Sequence, residues 1–422
     1  MRFTCFLSFG ACLSLLACAG DDVGTSATET SSDSAASSTS QSSDPTATAA
    51  TAATAATATA NETEGTGTAS GTTTTDGPTT DATDPTTADT TTDPTDGTTT
   101  TDPTDGTTTT DPTDGTTGGG VLASDCLFED YINEDKLTLD YDQFSPKIGG
   151  HCKGTDHQEI TDIERVVFLG DSLSVGTPPT DAQDYYRARL AEALVERFGL
   201  TPPNQLWAQV NLLDGVPLVQ ESGDFAACSK WGSKTEDFAD QINDCLTQDT
   251  WDKRTLVVIT MGGNNMASIA EEGAAGKSLA QCQADAAAAV DLMRDAVEWI
   301  ADDQKFPNGV FVVYANVFEY TDATSDLASC AAAKLDNWEN PQDLMDLMNE
   351  VNESYLKIAV DTGTDMIFMR ENFCGHGYRA DQEDGPCYRG PNQENYFDLT
   401  CIHPTGKGHE VIADLFTAVV DE

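Results

Sequence analysis

Apolar and polar positions divide the chain into two parts. From about residue 160 onwards, short apolar runs alternate with longer stretches in which apolar residues recur every three or four positions. Short unbroken runs are typical of strands buried on both faces of a sheet, and the longer spacing is typical of amphipathic helices. Strands are predicted at 165–169, 206–211, 256–261, 310–316 and 365–369. Helices are predicted at 184–198, 235–246, 279–301, 342–360 and 406–420. This alternation predicts an α/β domain whose parallel sheet is covered by helices on both faces.

Residues 20–120 lack this patterning. They consist almost wholly of Thr, Ser, Ala, Asp, Gly and Pro, and the segment Asp-Pro-Thr-Asp-Gly begins at Asp93, Asp102 and Asp111. Such a composition cannot bury a core, so we expect a disordered tether. Calcium-binding solenoids also have nine-residue repeats, but here no apolar position could form a solenoid core.

The N-terminal segment has the features of an export signal. An apolar run follows Arg2 and is too short to span a membrane, which is typical of a signal peptide. It ends in Leu-Leu-Ala-Cys18, which resembles the lipobox of bacterial lipoproteins and implies lipidation of Cys18 after cleavage. Ala19, where an inner-membrane protein would have Asp, implies an anchor in the outer membrane or at the cell surface. The alternative is secretion after cleavage at another small residue.

These features predict three regions: a lipoprotein signal at 1–17, a tether at 18–120 and a folded domain at 121–422. The chain has 71 acidic and 21 basic residues, a formal net charge of −50. This acidity favours solubility and disfavours binding to nucleic acid or direct adsorption to anionic lipid. We therefore expect membrane contact through the N-terminal lipid alone.

Nine of the 12 cysteines follow Cys18. An odd number predicts up to four disulfides and one free thiol in an oxidising compartment. Proximity in sequence favours the pairs Cys126–Cys152, Cys228–Cys245, Cys282–Cys330, and Cys374 with either Cys387 or Cys401. Since no Cys-x-x-Cys spacing occurs, a metal site is disfavoured, and we expect the protein to need no cofactor.

Four short segments carry the residues suited to catalysis. The first apolar run ends in Gly-Asp-Ser172, a turn that can expose a serine hydroxyl at the carboxyl edge of the sheet, where ligands bind. Taken alone, this turn also fits a serine that only caps a helix. The other segments contain Gly232 at 228–233, Asn264 at 262–265 and His403 at 401–404.

In this order, the four segments resemble the motif blocks of the SGNH, or GDSL, hydrolases over about residues 165–422. The resemblance implies a three-layer αβα sandwich with a parallel, flavodoxin-like sheet of about five strands. It also implies that Ser172 is the nucleophile and His403 the general base. The backbone N–H groups of Ser172 and Gly232 and the side-chain amide of Asn264 would form the oxyanion hole, which stabilises the charge that acyl transfer creates.

The chain departs from the family pattern beside the predicted base. The family has Asp three residues before the His, where this chain has Thr400, and the nearest carboxylate is that of Asp398. Asp398, Thr400 and a backbone carbonyl remain three candidates to orient His403, and the last would leave a Ser–His dyad. Asn265 also stands where Asp is commoner, outside the reacting groups.

These observations predict an exported serine esterase or lipase that cleaves carboxylic esters of a lipid or an acylated carbohydrate through an acyl-serine intermediate. A carbohydrate O-acetylesterase is one alternative. A weakly active or inactive surface binding protein is the other, because of the missing Asp before His403. Aromatic residues of the 371–400 insertion are predicted either to line the substrate pocket or to pack the loop against the sheet: Phe373, Tyr378, Tyr388, Tyr396 and Phe397.

Overall fold

A computed structural model of the protein describes residues 121–130 and 139–422. The predicted signal peptide, the lipidation site Cys18 and the tether lie outside these residues and remain predictions. Within the described part of the chain, no helix combines the length and apolar character needed to cross a membrane.

A six-stranded sheet forms the centre of the domain. The strands of the described chain are β1 Arg165–Gly170, β2 Val210–Asn211, β3 Val216–Pro217, β4 Glu221–Ser222, β5 Phe225–Ala227, β6 Thr255–Thr260, β7 Val310–Ala315 and β8 Asp365–Ile367. The sheet has the order β4-β5-β1-β6-β7-β8, while β2 and β3 form a separate hairpin. Strands β5, β1, β6, β7 and β8 are parallel and have the flavodoxin-like order. Strand β4 pairs antiparallel with β5 and forms one edge of the sheet.

Helices cover both faces of this sheet. They are α1 Ala123–Asp130, α2 Ser172–Val175, α3 Tyr186–Phe198, α4 Gln205–Ala208, α5 Phe238–Cys245, α6 Gly263–Ala274, α7 Leu279–Ile300, α8 Pro341–Thr362, α9 Met369–Phe373 and α10 Gly406–Asp421. Helix α3 packs against α10, and α7 packs against α5, α6 and α8. Because both faces are covered, every residue of β1 and β6 is buried. The predicted three-layer αβα sandwich is confirmed.

The prediction of a sheet strand at 206–211 is wrong. Asn204 accepts hydrogen bonds from the backbone N–H groups of Leu206 and Trp207 at 2.9 and 3.2 Å, which caps α4 instead. Only Val210–Asn211 is extended, and it belongs to the separate hairpin. The position beside β1 is taken by β5, whose three residues are too short a run to stand out in the sequence.

Four disulfides connect described residues. The predicted pairs Cys126–Cys152 and Cys228–Cys245 are confirmed, and Cys374 pairs with Cys387. The predicted pair Cys282–Cys330 is wrong, because Cys282 lies buried in α7 as a free thiol and Cys330 pairs with Cys401. Disulfides persist in oxidising compartments, so these four indicate an exported protein.

Candidate active site

The four sequence segments meet at the carboxyl edge of the sheet. Beyond β5 the chain continues alongside β1, since the Lys230 backbone N–H donates to the Gly170 carbonyl at 3.1 Å. This places the turn containing Gly232 beside the turn that follows β1. Strand β6 is the other neighbour of β1, and Asn264 follows it. The Asn264 side-chain amide donates to the Ser233 carbonyl at 2.9 Å, which connects the second and third segments directly.

A glycine allows the sharp turn into Ser172. Gly170 pairs with Thr260 in the sheet and has a φ of +135°. A Cβ atom at this position would lie 2.1 Å from the Thr260 carbonyl oxygen, so any other residue would clash. The Gln241 side chain accepts from the Gly170 N–H at 2.7 Å and donates to its carbonyl at 2.9 Å, which holds both backbone groups.

Asp171, rather than Ser172, caps the short helix α2. Its carboxylate accepts the Leu173 backbone N–H at 3.0 Å, and burial raises the pKa of this carboxyl to about 7. The Ser172 hydroxyl is therefore not used as a cap. Its Oγ atom lies 3.0 Å from Nε2 of His403, so the first and fourth segments meet within hydrogen-bond distance.

Thr400 lies between His403 and Asp398. Its Oγ1 atom is 2.9 Å from Nδ1 of His403, and the same hydroxyl donates to the Asp398 carboxylate. The Thr400 backbone N–H also donates to that carboxylate, at 2.8 Å. Burial lowers the pKa of His403 below its usual value, while the charge of Asp398 acts in the opposite direction. A neutral imidazole with a hydrogen-bond partner at each ring nitrogen suits a general base.

The three predicted oxyanion donors differ in how they are held. Within residues 139–422, no hydrogen bond uses the backbone N–H of Ser172 or Gly232. Gly232 has a φ of +75°, and no atom lies within 4 Å of the position that its Cβ would occupy, so this turn borders open space. An Asn amide has two N–H donors, so the bond from Asn264 to Ser233 leaves the other N–H available. The Asn265 side chain accepts the Thr235 backbone N–H at 3.0 Å, which agrees with its expected place outside the reacting groups.

Residues 168–411, more than half of the chain, match the GDSL-like lipase/acylhydrolase family. The chain belongs to this family. It is accordingly a carboxylic ester hydrolase. Similar solved structures include an extracellular lipase from Streptomyces rimosus, with 17% identity, 61% of this chain and 99% of that chain covered, and a TM-score of 0.38. Another is phospholipase A1 from Streptomyces albidoflavus, with 18% identity, 61% and 99% coverage, and a TM-score of 0.37. No curated protein matches the sequence.

Beneath the serine turn of this GDSL-like hydrolase lies a buried arginine that the sequence analysis missed. Arg187 donates to the carbonyls of Ser174 and Trp207 at 2.7 and 2.6 Å, and its guanidinium lies 4.2 Å from the centre of the Trp207 ring. Burial lowers its pKa to about 10. A sequence signal exists, because Arg187 occupies the apolar face of α3, three residues before Leu190 and seven before Leu194.

Two insertions hold the loop that carries the hydrolase's His403. The Cys330–Cys401 disulfide joins this loop to the insertion that follows β7. Asp322 of that insertion accepts the backbone N–H groups of Gly375 and Gly377, both at 2.8 Å. The loop is thus anchored both covalently and by hydrogen bonds.

Most of the insertion's aromatic residues pack rather than line a pocket. Phe373 is fully buried and Phe397 is nearly so, and both rings contact Phe318. Tyr396 stacks on His376, and the Tyr378 hydroxyl donates to a backbone carbonyl, that of Asp398. For Phe373 and Phe397, the interpretation as pocket-lining residues is wrong.

Proposed function

We propose that this ester hydrolase works through an acyl-serine intermediate on Ser172. The contact of 3.0 Å between Ser172 Oγ and His403 Nε2 carries this proposal. Nδ1 of His403 already has a partner in Thr400, so Nε2 is the nitrogen available to accept the serine proton. A serine hydroxyl is a weak nucleophile until a base removes its proton, and this contact supplies the base.

The proposed cycle has two halves. Ser172 Oγ attacks the ester carbonyl carbon while His403 Nε2 takes the hydroxyl proton and then delivers it to the departing alcohol. Water next attacks the acyl-enzyme, His403 takes a proton from this water, and the acid leaves as Ser172 is reprotonated. In both halves the N–H groups of Ser172, Gly232 and Asn264 stabilise the oxyanion; one such donor typically contributes about 2.7–4 kcal/mol.

Exposed apolar side chains support an ester with an apolar acyl chain. Leu399 and Ile402 stand on the His403 loop with exposures of 87% and 42%. The β2–β3 hairpin carries Leu212 and Leu213, of which Leu213 is 96% exposed. The hairpin reaches the second motif, since the Gly215 carbonyl accepts the Trp231 backbone N–H at 2.7 Å. Apolar residues near both motifs favour a lipid ester over the carbohydrate O-acetyl ester that is the alternative.

We also propose that the hydrolase is anchored through Cys18 to the outer membrane or cell surface. The four disulfides support export, and a coil of about 100 residues in the 18–120 tether would have a reach of about 50–60 Å. A Cys18→Ser chain should move from the membrane fraction to the soluble fraction while keeping its esterase activity. Membrane retention of Cys18→Ser would favour a different anchor.

The activity test compares the whole chain with its Ser172→Ala variant on p-nitrophenyl acetate, butyrate and longer acyl esters. We expect hydrolysis that rises beyond acetate and is lost in Ser172→Ala. A preference for acetate, together with release of acetate from acylated polysaccharide, would favour the O-acetylesterase. No hydrolysis above Ser172→Ala on any ester would support the surface binding protein instead.

A further inference from the structure

We propose that Thr400 is a positioning residue, whose hydroxyl connects the Asp398 carboxylate to His403 and thereby sets which nitrogen of the imidazole carries the proton. The inference rests on the proposed role of His403 as the base. It gives this hydrolase a Ser–His–Thr–Asp relay, in which a neutral hydroxyl stands where the family pattern has a carboxylate.

The direction of each hydrogen bond follows from the groups themselves. An ionised carboxylate only accepts, so the single hydroxyl proton of Thr400 must point to Asp398. The lone pairs of Thr400 Oγ1 then face Nδ1 of His403, 2.9 Å away, and Nδ1 must carry the ring proton. Nε2 is left with a lone pair toward Ser172 Oγ. The carboxylate thus determines the tautomer of a histidine that it does not contact.

Backbone hydrogen bonds within residues 398–403 hold the turn that contains Thr400. The Asp398 backbone N–H donates to the His403 carbonyl at 2.8 Å, and the Cys401 N–H donates to the Asp398 carbonyl at 3.1 Å. Asp398 is 8% exposed, and both hydrogen bonds that its carboxylate accepts within the described chain come from Thr400. Within the described chain, the hydrogen-bonded connection from the Asp398 carboxylate to the His403 ring therefore runs through the Thr400 hydroxyl.

The relay also predicts how strongly the charge of Asp398 stabilises the protonated form of His403. Coulomb energy falls with distance, so a carboxylate one hydroxyl away stabilises the imidazolium less than one in direct contact. Among the described residues, Asp398 and His409 are the titratable groups that interact electrostatically with His403. Burial lowers the pKa of His409 to about 3, so it is neutral over the working pH range. The negative charge near His403 can therefore be brought closer by moving the carboxylate from residue 398 to residue 400.

Substitution of Thr400 separates a positioning role from a structural one. Thr400→Val keeps the shape and removes the hydroxyl, while Thr400→Ser keeps the hydroxyl. Because Thr400 is exposed, water can replace part of the lost hydrogen bond, so we expect Thr400→Val to lower kcat only about 10-fold with KM unchanged. Thr400→Ser should recover most of this loss. Thr362→Val, which removes a threonine hydroxyl bound at the end of α8, is the matched control.

A second variant tests the distance of the charge. In Thr400→Asp combined with Asp398→Asn, a single carboxylate would stand in direct contact with Nδ1. We expect this variant to be active and its pH profile of kcat/KM to have an acidic limb at higher pH than that of the wild type. An unchanged limb, or equal kcat losses in Thr400→Val and Thr400→Ser with unchanged melting temperatures, would overturn the relay.

Nitrogen NMR of His403 provides a readout that does not depend on activity. The chain has five histidines, so the resonances can be assigned by substitution. We expect the wild type to carry the proton on Nδ1 and Thr400→Val to populate the Nε2–H form. If no ester is hydrolysed but Thr400 still sets the tautomer, the proposed function fails and the relay stands. If hydrolysis is normal and neither kcat nor tautomer responds to Thr400→Val, the relay fails alone.

Discussion

Removal of the Cys330–Cys401 disulfide should affect both the stability and the catalysis of the hydrolase. Cys401 lies between Thr400 and His403, and its partner Cys330 lies in the insertion after β7. Both sulfurs are buried. Replacing both cysteines by alanine removes the covalent connection without leaving a reactive thiol.

The size of the stability loss follows from the length of chain that the bond closes. The two cysteines are 71 residues apart in sequence. Loop-closure entropy for such a span corresponds to about 4.4 kcal/mol, and measured values usually fall at about 2–4 kcal/mol. For a domain of this size we expect a melting temperature lower by about 4–8 °C.

The matched control is the Cys126–Cys152 pair, which closes 26 residues and for which the same relation predicts about 3.5 kcal/mol. Both double variants should lose comparable stability in denaturant unfolding. Only Cys330→Ala with Cys401→Ala should also lower kcat, by about 10- to 100-fold, because a small displacement of a catalytic group is costly. The kcat values are measured well below either melting temperature.

Two results would refute this reasoning. If kcat is unchanged in the Cys330/Cys401 variant, the hydrogen bonds of the turn alone hold His403. If the Cys126/Cys152 variant loses as much kcat, the effect reports general destabilisation rather than the position of the base.

The remaining predictions concern the oxyanion hole, the base and the serine turn. Asn264→Ala should lower kcat about 10²- to 10³-fold with little change in KM, and a change in KM alone would argue against an oxyanion role. His403 must be neutral to act as a base, and its pKa is lowered, so the acidic limb of kcat/KM should lie below pH 6.5. The charge of Asp398 raises that pKa, so Asp398→Asn should move the limb to still lower pH; a shift upward would contradict this. Arg187→Met leaves buried carbonyls unpaired and should lower the free energy of unfolding in denaturant by about 2–4 kcal/mol. Arg187→Lys should restore only part of this free energy, because an ammonium group lacks the planar guanidinium fork.

The predicted fold agrees with the structure where apolar runs were long. Strands β1, β6 and β7 each have five or six apolar or small residues, and helices α3 and α7 each bury one apolar face. The prediction failed at β5, where three residues obtain their strand geometry from pairing with β1. It also missed α6, which begins within the third motif at Gly263.

The disulfides also divide into pairs that local sequence predicts and a pair that depends on the tertiary structure. Pairs that close short spans were predicted from proximity, including Cys126–Cys152 and Cys228–Cys245. The pair Cys330–Cys401 joins two insertions that are adjacent only because the strands before them are neighbours in the sheet. No local pattern in the sequence reports such a contact.

By itself the sequence determined the order and identity of the motif residues, because the turn chemistry of Gly170-Asp171-Ser172 and the residues around Asn264 and His403 are local properties of the chain. It could not determine what orients His403, since Asp398, Thr400 and a backbone carbonyl were all candidates. Only the tertiary structure shows which of these groups His403 contacts, because the contacts depend on how residues 398–403 fold into a turn that brings their atoms together in space. The residue that breaks the family pattern, Thr400, is the one whose hydroxyl contacts both the Asp398 carboxylate and His403, the proposed base.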